Sequence, residues 1–153
     1  MLDTTDKNLL ALLQQDAKQT IKSLAFKLSL SVTAVHERIK KLERNQTISQ
    51  YVALIDKNRV NKSFMVLCHL KLNEHTRENI RRFEKEVTQL PEVMECYHVS
   101  GDYDFILKIL VKDMPAYREF LVDKLTALSG IGSTQSTFII DEVKETTQIA
   151  LNY

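Results

Sequence analysis

Two short stretches hold the side chains best suited to touching another molecule. The first begins at Ser31 and runs to Arg44, with hydroxyls early (Ser31, Thr33) and cations late (Arg38, Lys40, Lys41, Arg44). Hydroxyls and the free N–H groups of a first helical turn meet phosphate, cations neutralise it, and an arginine can fork onto guanine. The second is Ser100-Gly101-Asp102-Tyr103-Asp104, where two carboxylates flank a glycine turn, followed later by the hydroxyls of Ser133, Thr134, Ser136 and Thr137. Carboxylates, hydroxyls and backbone donors together can hold an amino acid by its ammonium and carboxylate ends. Each stretch also has a plainer explanation. Lysines solvate helix faces, Gly-Asp makes hairpins, and Ser and Thr are good strand residues.

The first stretch needs a helix to present it. Val32, Val35, Ile39 and Leu42 recur at spacings of three and four and define a core side. Opposite them lie Thr33, Ala34, Glu37, Lys40 and Lys41, with Arg38 at the margin. Arg38 therefore has two roles open, a DNA contact or a structural tie to an acid such as Glu37 or Glu43, or to another helix. Glu37 suits phosphate poorly but can read a cytosine amino group, and His36 faces sideways as a surface or packing residue. Ser31 caps this helix, and Thr20 caps the one before it, whose Ile21, Leu24, Ala25 and Leu28 share a face. Two short helices hinged at Ser29-Leu30-Ser31 predict a helix-turn-helix whose second member enters the major groove of double-stranded DNA. A helix starting near Thr5-Asp6, with Leu9, Leu10 and Leu13 inward, completes the head. Asn45 is expected to take the left-handed C-cap conformation, and Ile48, Val52, Leu54 and Ile55 to form an extended linking strand.

The second stretch needs a sheet. Beyond Ser63 the pattern predicts strand 64–72, helix 76–90, strand 93–100, strand 103–111, a helix capped by Asp113, and strand 133–143. That order gives a four-stranded antiparallel sheet with both helices on one face, the ferredoxin-like split βαβ arrangement. The fold class is α+β, with a helix-turn-helix head over 1–47, a linking strand over 48–62 and a C-terminal ferredoxin-like domain over 63–153. In the third strand Tyr103, Phe105, Leu107, Ile109 and Val111 are assigned to one face, and Ile106 and Leu110 to the other. A sheet covered on one side should alternate apolar with polar, so the second apolar face is expected to be covered by another copy of the chain, in a dimer.

Charge divides along the same line. Residues 18–44 carry seven basic side chains against two acids, whereas residues 51–153 carry 13 against 15. A basic head on a near-neutral body suits a phosphate-binding module. Catalysis is not expected, because His36, His69, His75 and His98 lack metal-ligand spacing and no glycine-rich phosphate loop or nucleophile elbow occurs. No cofactor is expected. Cys68 and Cys96 sit in apolar runs and read as reduced thiols. No apolar run spans a bilayer and the N-terminus lacks a secretion pattern, so a cytoplasmic location with no membrane partner is expected.

Taken together, the chain resembles the Lrp/AsnC, or feast/famine, family of transcription regulators. The matching pieces are Leu2-Asp3-x-x-Asp6, Leu13-Gln14-x-Asp16-Ala17, Leu24-Ala25-x-x-Leu28-x-Leu30-Ser31, Val35-x-x-Arg38-Ile39-Lys40-x-Leu42-Glu43, Gly101-Asp102-Tyr103-Asp104, and Ser133-Thr134-x-Ser136-Thr137-Phe138 with Glu142-Val143-Lys144. The resemblance implies a sequence-specific DNA-binding regulator with an effector domain (RAM domain). It also implies dimers assembling further, often to octamers, and an amino acid effector bound between dimers near Ser100, Gly101, Asp102, Tyr103 and Asp104 and the strand bearing Thr134, Ser136 and Thr137. Many relatives carry glycine where this chain has Gln46 and Gln50, and many helix-turn-helix units place glycine where it has Ser29. The alternative is an amino-acid-sensing assembly protein without operator binding, which predicts a neutral third helix.

Overall fold

In the computed structural model, which describes residues 2–151, three helices come first: α1 (Thr4–Gln15), α2 (Ile21–Leu28) and α3 (Val32–Arg44). Helix α1 starts at Thr4 because Asp3 accepts from the Asp6 N–H at 2.7 Å while Asp6 reaches back to the Asp3 N–H. This reciprocal capping fixes an earlier start than Thr5-Asp6. Thr20 and Ser31 cap α2 and α3 through the N–H groups of Ser23 and Ala34, each at 3.1 Å, as the sequence predicts. Leu9, Leu10, Leu24, Ala25, Val35 and Leu42 form the core of the head.

Two turns in the head use the left-handed region without glycine. Ser29 sits at φ 55, ψ 42, closing α2. After α3 the left-handed residue is Gln46, at φ 57, and not Asn45, which stays at φ −84. The C-cap is thus one residue later than expected, on a side chain poorly suited to it. A Cβ in this region costs about 1–2 kcal/mol, part of which glycine returns through its freer unfolded chain. Ser29→Gly and Gln46→Gly should therefore each stabilise the head by about 0.5–1 kcal/mol, seen as a rise in its thermal midpoint. A fall at either position would show that its side chain supplies more than conformation.

The sheet comprises β1 (Phe64–Leu72), β2 (Val93–His98), β3 (Phe105–Val111) and β4 (Ile131–Phe138), all antiparallel in the order β2-β3-β1-β4. Helix α4 (Arg77–Val87) and helix α5 (Met114–Glu119) pack on one face. From Phe120 to Leu125 the second helix widens into π winding. A five-residue step then brings Phe120 and Leu125 into the core, while Leu121 and Leu128 are half-buried. Val66, Cys68, Leu70, Phe83, Leu107 and Ile109 fill that core with no measurable exposure. Leu67, Ile106 and Leu110 lie on the other face, half-buried.

Three boundaries differ from expectation. Strands β2 and β3 stop at His98 and start at Phe105, leaving Val99 to Asp104 as an irregular turn. Tyr103 consequently leaves the alternation and joins the opposite face from Phe105, with its ring 5.2 Å from His69. The predicted linking strand pairs with no other strand among the described residues, and Val52, Leu54 and Ile55 are exposed. The chain forms two compact units, residues 2–54 with 143–151, and residues 55–142. The stretch from Val143, assigned by sequence to the C-terminal domain, is grouped in the structure with the head, where Gln14 brackets the Ile149 backbone and Leu151 packs on the head core.

Candidate nucleic-acid interface and ligand cavity

Helix α3 turns Val35 and Leu42 into the core and leaves Ser31, Thr33, Glu37, Lys40, Lys41 and Arg44 exposed, with Ala34 half-buried. This is the face that the spacing predicts, except that Val32, assigned to the core side, is 46% exposed in the first turn. Ser31 already uses its hydroxyl oxygen to accept from Ala34, which leaves its O–H free to donate. Arg38 is placed differently from its neighbours. Its Nη1 donates to Asp3 Oδ2 at 2.7 Å and to Asp6 Oδ1 at 2.6 Å, so it ties α3 to the capped start of α1. Asp6 is 1% exposed and Arg38 29% exposed. The hydrogen bond from Arg38, assisted by the Asp6 N–H, holds the Asp3 carboxyl below the usual carboxylate range. The hydrogen bonds it donates to Asp3 and Asp6 raise Arg38 above its ordinary value. Of the two roles open from sequence, the structural tie is the one whose partners are present, although those partners are Asp3 and Asp6 and not Glu37 or Glu43.

In the sheet domain a cavity of about 560 Å³ is lined by His69, His98, Val99, Ser100, Asp102, Tyr103 and Ile106. The turn gathers these groups because β2 and β3 end early and Gly101, at φ 120, reverses the chain where a Cβ would be strained. Tyr103 is pinned by donating its hydroxyl to Gln135 on β4. His98 stacks on Phe105 with ring centroids 4.6 Å apart. The exposed Asp102 carboxylate makes no hydrogen bond or ion pair among the described residues.

The predicted site residues divide here. Ser100, Asp102 and Tyr103 line the cavity and Gly101 shapes it. Asp104 does structural duty at 17% side-chain exposure: it accepts from the Leu72 N–H at 2.8 Å and pairs with His75 Nε2 at 2.9 Å. The hydroxyls of β4 do not reach the cavity. Thr134 and Ser136 stand opposite Leu70 and Cys68 on the helix-covered side. Ser136 hydrogen-bonds the Tyr117 hydroxyl at 2.5 Å, and burial pushes that phenol up to about 12. Thr137 is on the open face, opposite Leu67, and exposed. His69 and His98 join the cavity, and Gln135 holds Tyr103 there, without having been singled out for ligand binding. Their signal was the register, since His69 stands between Ile106 on β3 and Gln135 on β4.

The same two-part arrangement recurs in known proteins. Residues 2–43 match the AsnC-type helix-turn-helix domain, and residues 65–149 match the Lrp/AsnC ligand binding domain. Leucine-responsive regulatory proteins of Klebsiella pneumoniae and Escherichia coli K12 are each 35% identical over 150 residues, covering 98% of this chain and 92% of theirs. This chain belongs to the Lrp/AsnC family. Among solved family structures, a transcriptional regulator of Neisseria meningitidis in complex with L-Met superposes with a TM-score of 0.95 at 30% identity, covering 99% of this chain and 98% of that one. An AsnC family regulator from Agrobacterium tumefaciens gives 0.93 at 34% identity, over 97% and 96%.

As an Lrp/AsnC member the protein is a DNA-binding transcription regulator with a ligand-binding domain, and its α+β fold is the one expected. Among the described residues no helix is long and apolar enough to cross a membrane, and no group of His, Cys, Asp and Glu is arranged to hold a metal ion. Both cysteines are free thiols, and burial raises each.

Proposed function

We propose that this regulator reads discrete duplex sites through Ser31, Thr33, Ala34, Glu37, Lys40 and Lys41 of α3, with Arg38 holding that helix in place. A small amino acid, bound where Ser100, Gly101, Asp102 and Tyr103 surround the cavity, modulates it. The observation that carries the first half is the exposed, basic outer face of α3 on a capped helix-turn-helix head. The L-Met complex of the Neisseria meningitidis regulator supports the second half, together with the unpaired Asp102 carboxylate facing the cavity. Two copies join through the sheet face carrying Leu67, Ile106 and Leu110, and dimers assemble further, to an octamer in the manner of the family. The molecule works in the cytoplasm, where its DNA partner is, and performs no catalysis.

Salt dependence tests the DNA half. Each phosphate neutralised contributes about 0.9 to the slope of log affinity against log salt. Lys40→Ala and Lys41→Ala should each lower that slope by about 1 and weaken binding evenly across sequences. A genome-wide pull-down should recover discrete sites. Recovery of random fragments alone would favour the assembly-protein alternative. A thermal-shift screen of the twenty amino acids, followed by sizing with and without each hit, tests the effector and the assembly.

A further inference from the structure

The head is joined to the sheet domain by two chain connections, one at 54–55 and one at 142–143. The second continues into residues 143–151, and the contacts that hold this segment to the head are specific. Gln14, in the last turn of α1, uses its side-chain amide as a two-pronged bracket on one residue. Its Oε1 accepts from the Ile149 N–H at 2.7 Å and its Nε2 donates to the Ile149 carbonyl at 3.1 Å. Gln148 adds a longer contact to the Gln14 carbonyl at 3.5 Å. Leu151 then packs, half-buried, against the core of Leu9, Leu10 and Leu24. The Ile149 side chain points to solvent, so the grip is on the backbone.

At the other end, Glu142 forms an ion pair with Lys57, both side chains being largely buried. The residues that begin the two connections are therefore clasped together. Strand β4 lies just upstream, and its Gln135 accepts the hydroxyl of Tyr103 from the cavity turn. One continuous stretch of chain thus runs from Gln135, the partner of the cavity residue Tyr103, through the Lys57–Glu142 clasp, to a bracket on the first helix of the DNA-binding head.

We infer that residues 143–151 are a strap: a second attachment that fixes the head for DNA binding and carries the state of the cavity turn to it. The first part stands on the contacts alone; the second rests on the amino-acid reading above. A ligand that moves Tyr103 and Gln135 acts on the head through this connection only if the strap holds, because a connection that is loose at one end transmits no bias.

Hydrogen exchange on the full chain, comparing wild type with Gln14→Ala and Gln14→Glu, separates these parts. Two ordinary hydrogen bonds hold Ile149, so its N–H should be protected in the wild type and lose at least about ten-fold in Gln14→Ala. Gln14→Glu keeps the acceptor and should fall between. Alanine is the better helix former, so α1 itself should not unravel, and exchange of α1, β1 and β3 should stay unchanged. With the strap released, affinity for a promoter fragment should fall at least about five-fold. An Ile149 N–H that exchanges freely in the wild type, or DNA affinity untouched in a Gln14→Ala protein that has lost the protection, would overturn the strap. L-methionine is then added, with its binding followed by calorimetry. It should change DNA affinity in the wild type and not in Gln14→Ala, although both bind it. An equal response in the two proteins overturns transmission through the strap. If the wild type binds neither L-methionine nor any other of the twenty amino acids, the effector reading falls, and the strap is decided by the ligand-free comparison.

Discussion

Arg38→Ala should unfold the head and abolish DNA binding, through loss of a buried ion pair. Removing the guanidinium leaves the Asp6 carboxylate, 1% exposed, without its cation. Breaking a buried pair by deleting one partner costs about 3–5 kcal/mol, and the partial solvation of Arg38 places this case near the lower figure, about 3 kcal/mol. The head's compact core is small, and a domain of that size has little more stability than this to lose. Calorimetry should show its transition collapse while that of the sheet domain remains. The double variant Asp6→Leu with Arg38→Met removes both charges and leaves Asp3 free to cap Asp6's position through the backbone. Replacing a buried pair by apolar residues is often neutral, so folding should return. If Arg38 is only a tie, DNA binding returns with it. A folded double variant that cannot bind DNA would put the guanidinium back on the duplex.

The same tie gives the head a pH dependence of known sign. Asp3 is held below its ordinary value of 3.8 by Arg38 and the Asp6 N–H. Its contribution is therefore fully present above that value and is lost as pH falls through the lower, folded one. Acid titration of the head's stability should show the loss only on the acid side of the ordinary carboxylate range, and Arg38→Met with Asp6→Leu should move it toward that range.

How much of this was legible from sequence differs by element. Caps at Thr20, Ser31 and Asp113, and the buried Val35 and Leu42 of α3 and the stripe of β3 from Phe105, follow from local chemistry that tertiary contacts reinforce. Arg38 was ambiguous because its partners lie more than thirty residues away, in a capping box that serves two purposes at once. Tyr103 was assigned to the wrong face because alternation was carried into a turn where the period of two no longer holds. The β4 hydroxyls looked like one cluster, yet strand geometry sends Thr134 and Ser136 one way and Thr137 the other. The bracket between Gln14 and Ile149 is a side chain gripping a backbone, and it left no pattern in residue types. The two left-handed turns show the opposite case: neither Ser29 nor Gln46 is a glycine, and the backbone takes the glycine conformation regardless.

Asp102→Asn should weaken the effector about ten- to a hundred-fold without touching the fold, and Asp104→Ala should do the reverse. The two residues sit in one turn and carry the same charge, so composition cannot separate them. Geometry does. Asp102 is exposed at the cavity with no protein partner among the described residues, so its carboxylate is available to an ammonium group. A charge-assisted hydrogen bond of that kind is worth about 1.5–3 kcal/mol, which sets the expected loss of affinity. Because nothing in the turn leans on that carboxylate, melting should shift by less than about 0.5 kcal/mol. Asp104 accepts from the Leu72 N–H and from His75, and its own backbone N–H and carbonyl bond Leu70 and Val99. Deleting its carboxylate strands the N–H of the buried Leu72, a cost of about 1–3 kcal/mol. Asp104→Asn, which keeps an acceptor for Leu72, should recover most of that stability. Calorimetry with whichever amino acid gives the largest thermal shift, beside melting curves for the three variants, reads both quantities. Unchanged affinity in Asp102→Asn would mean that the ammonium group is held elsewhere and that the turn only walls the cavity.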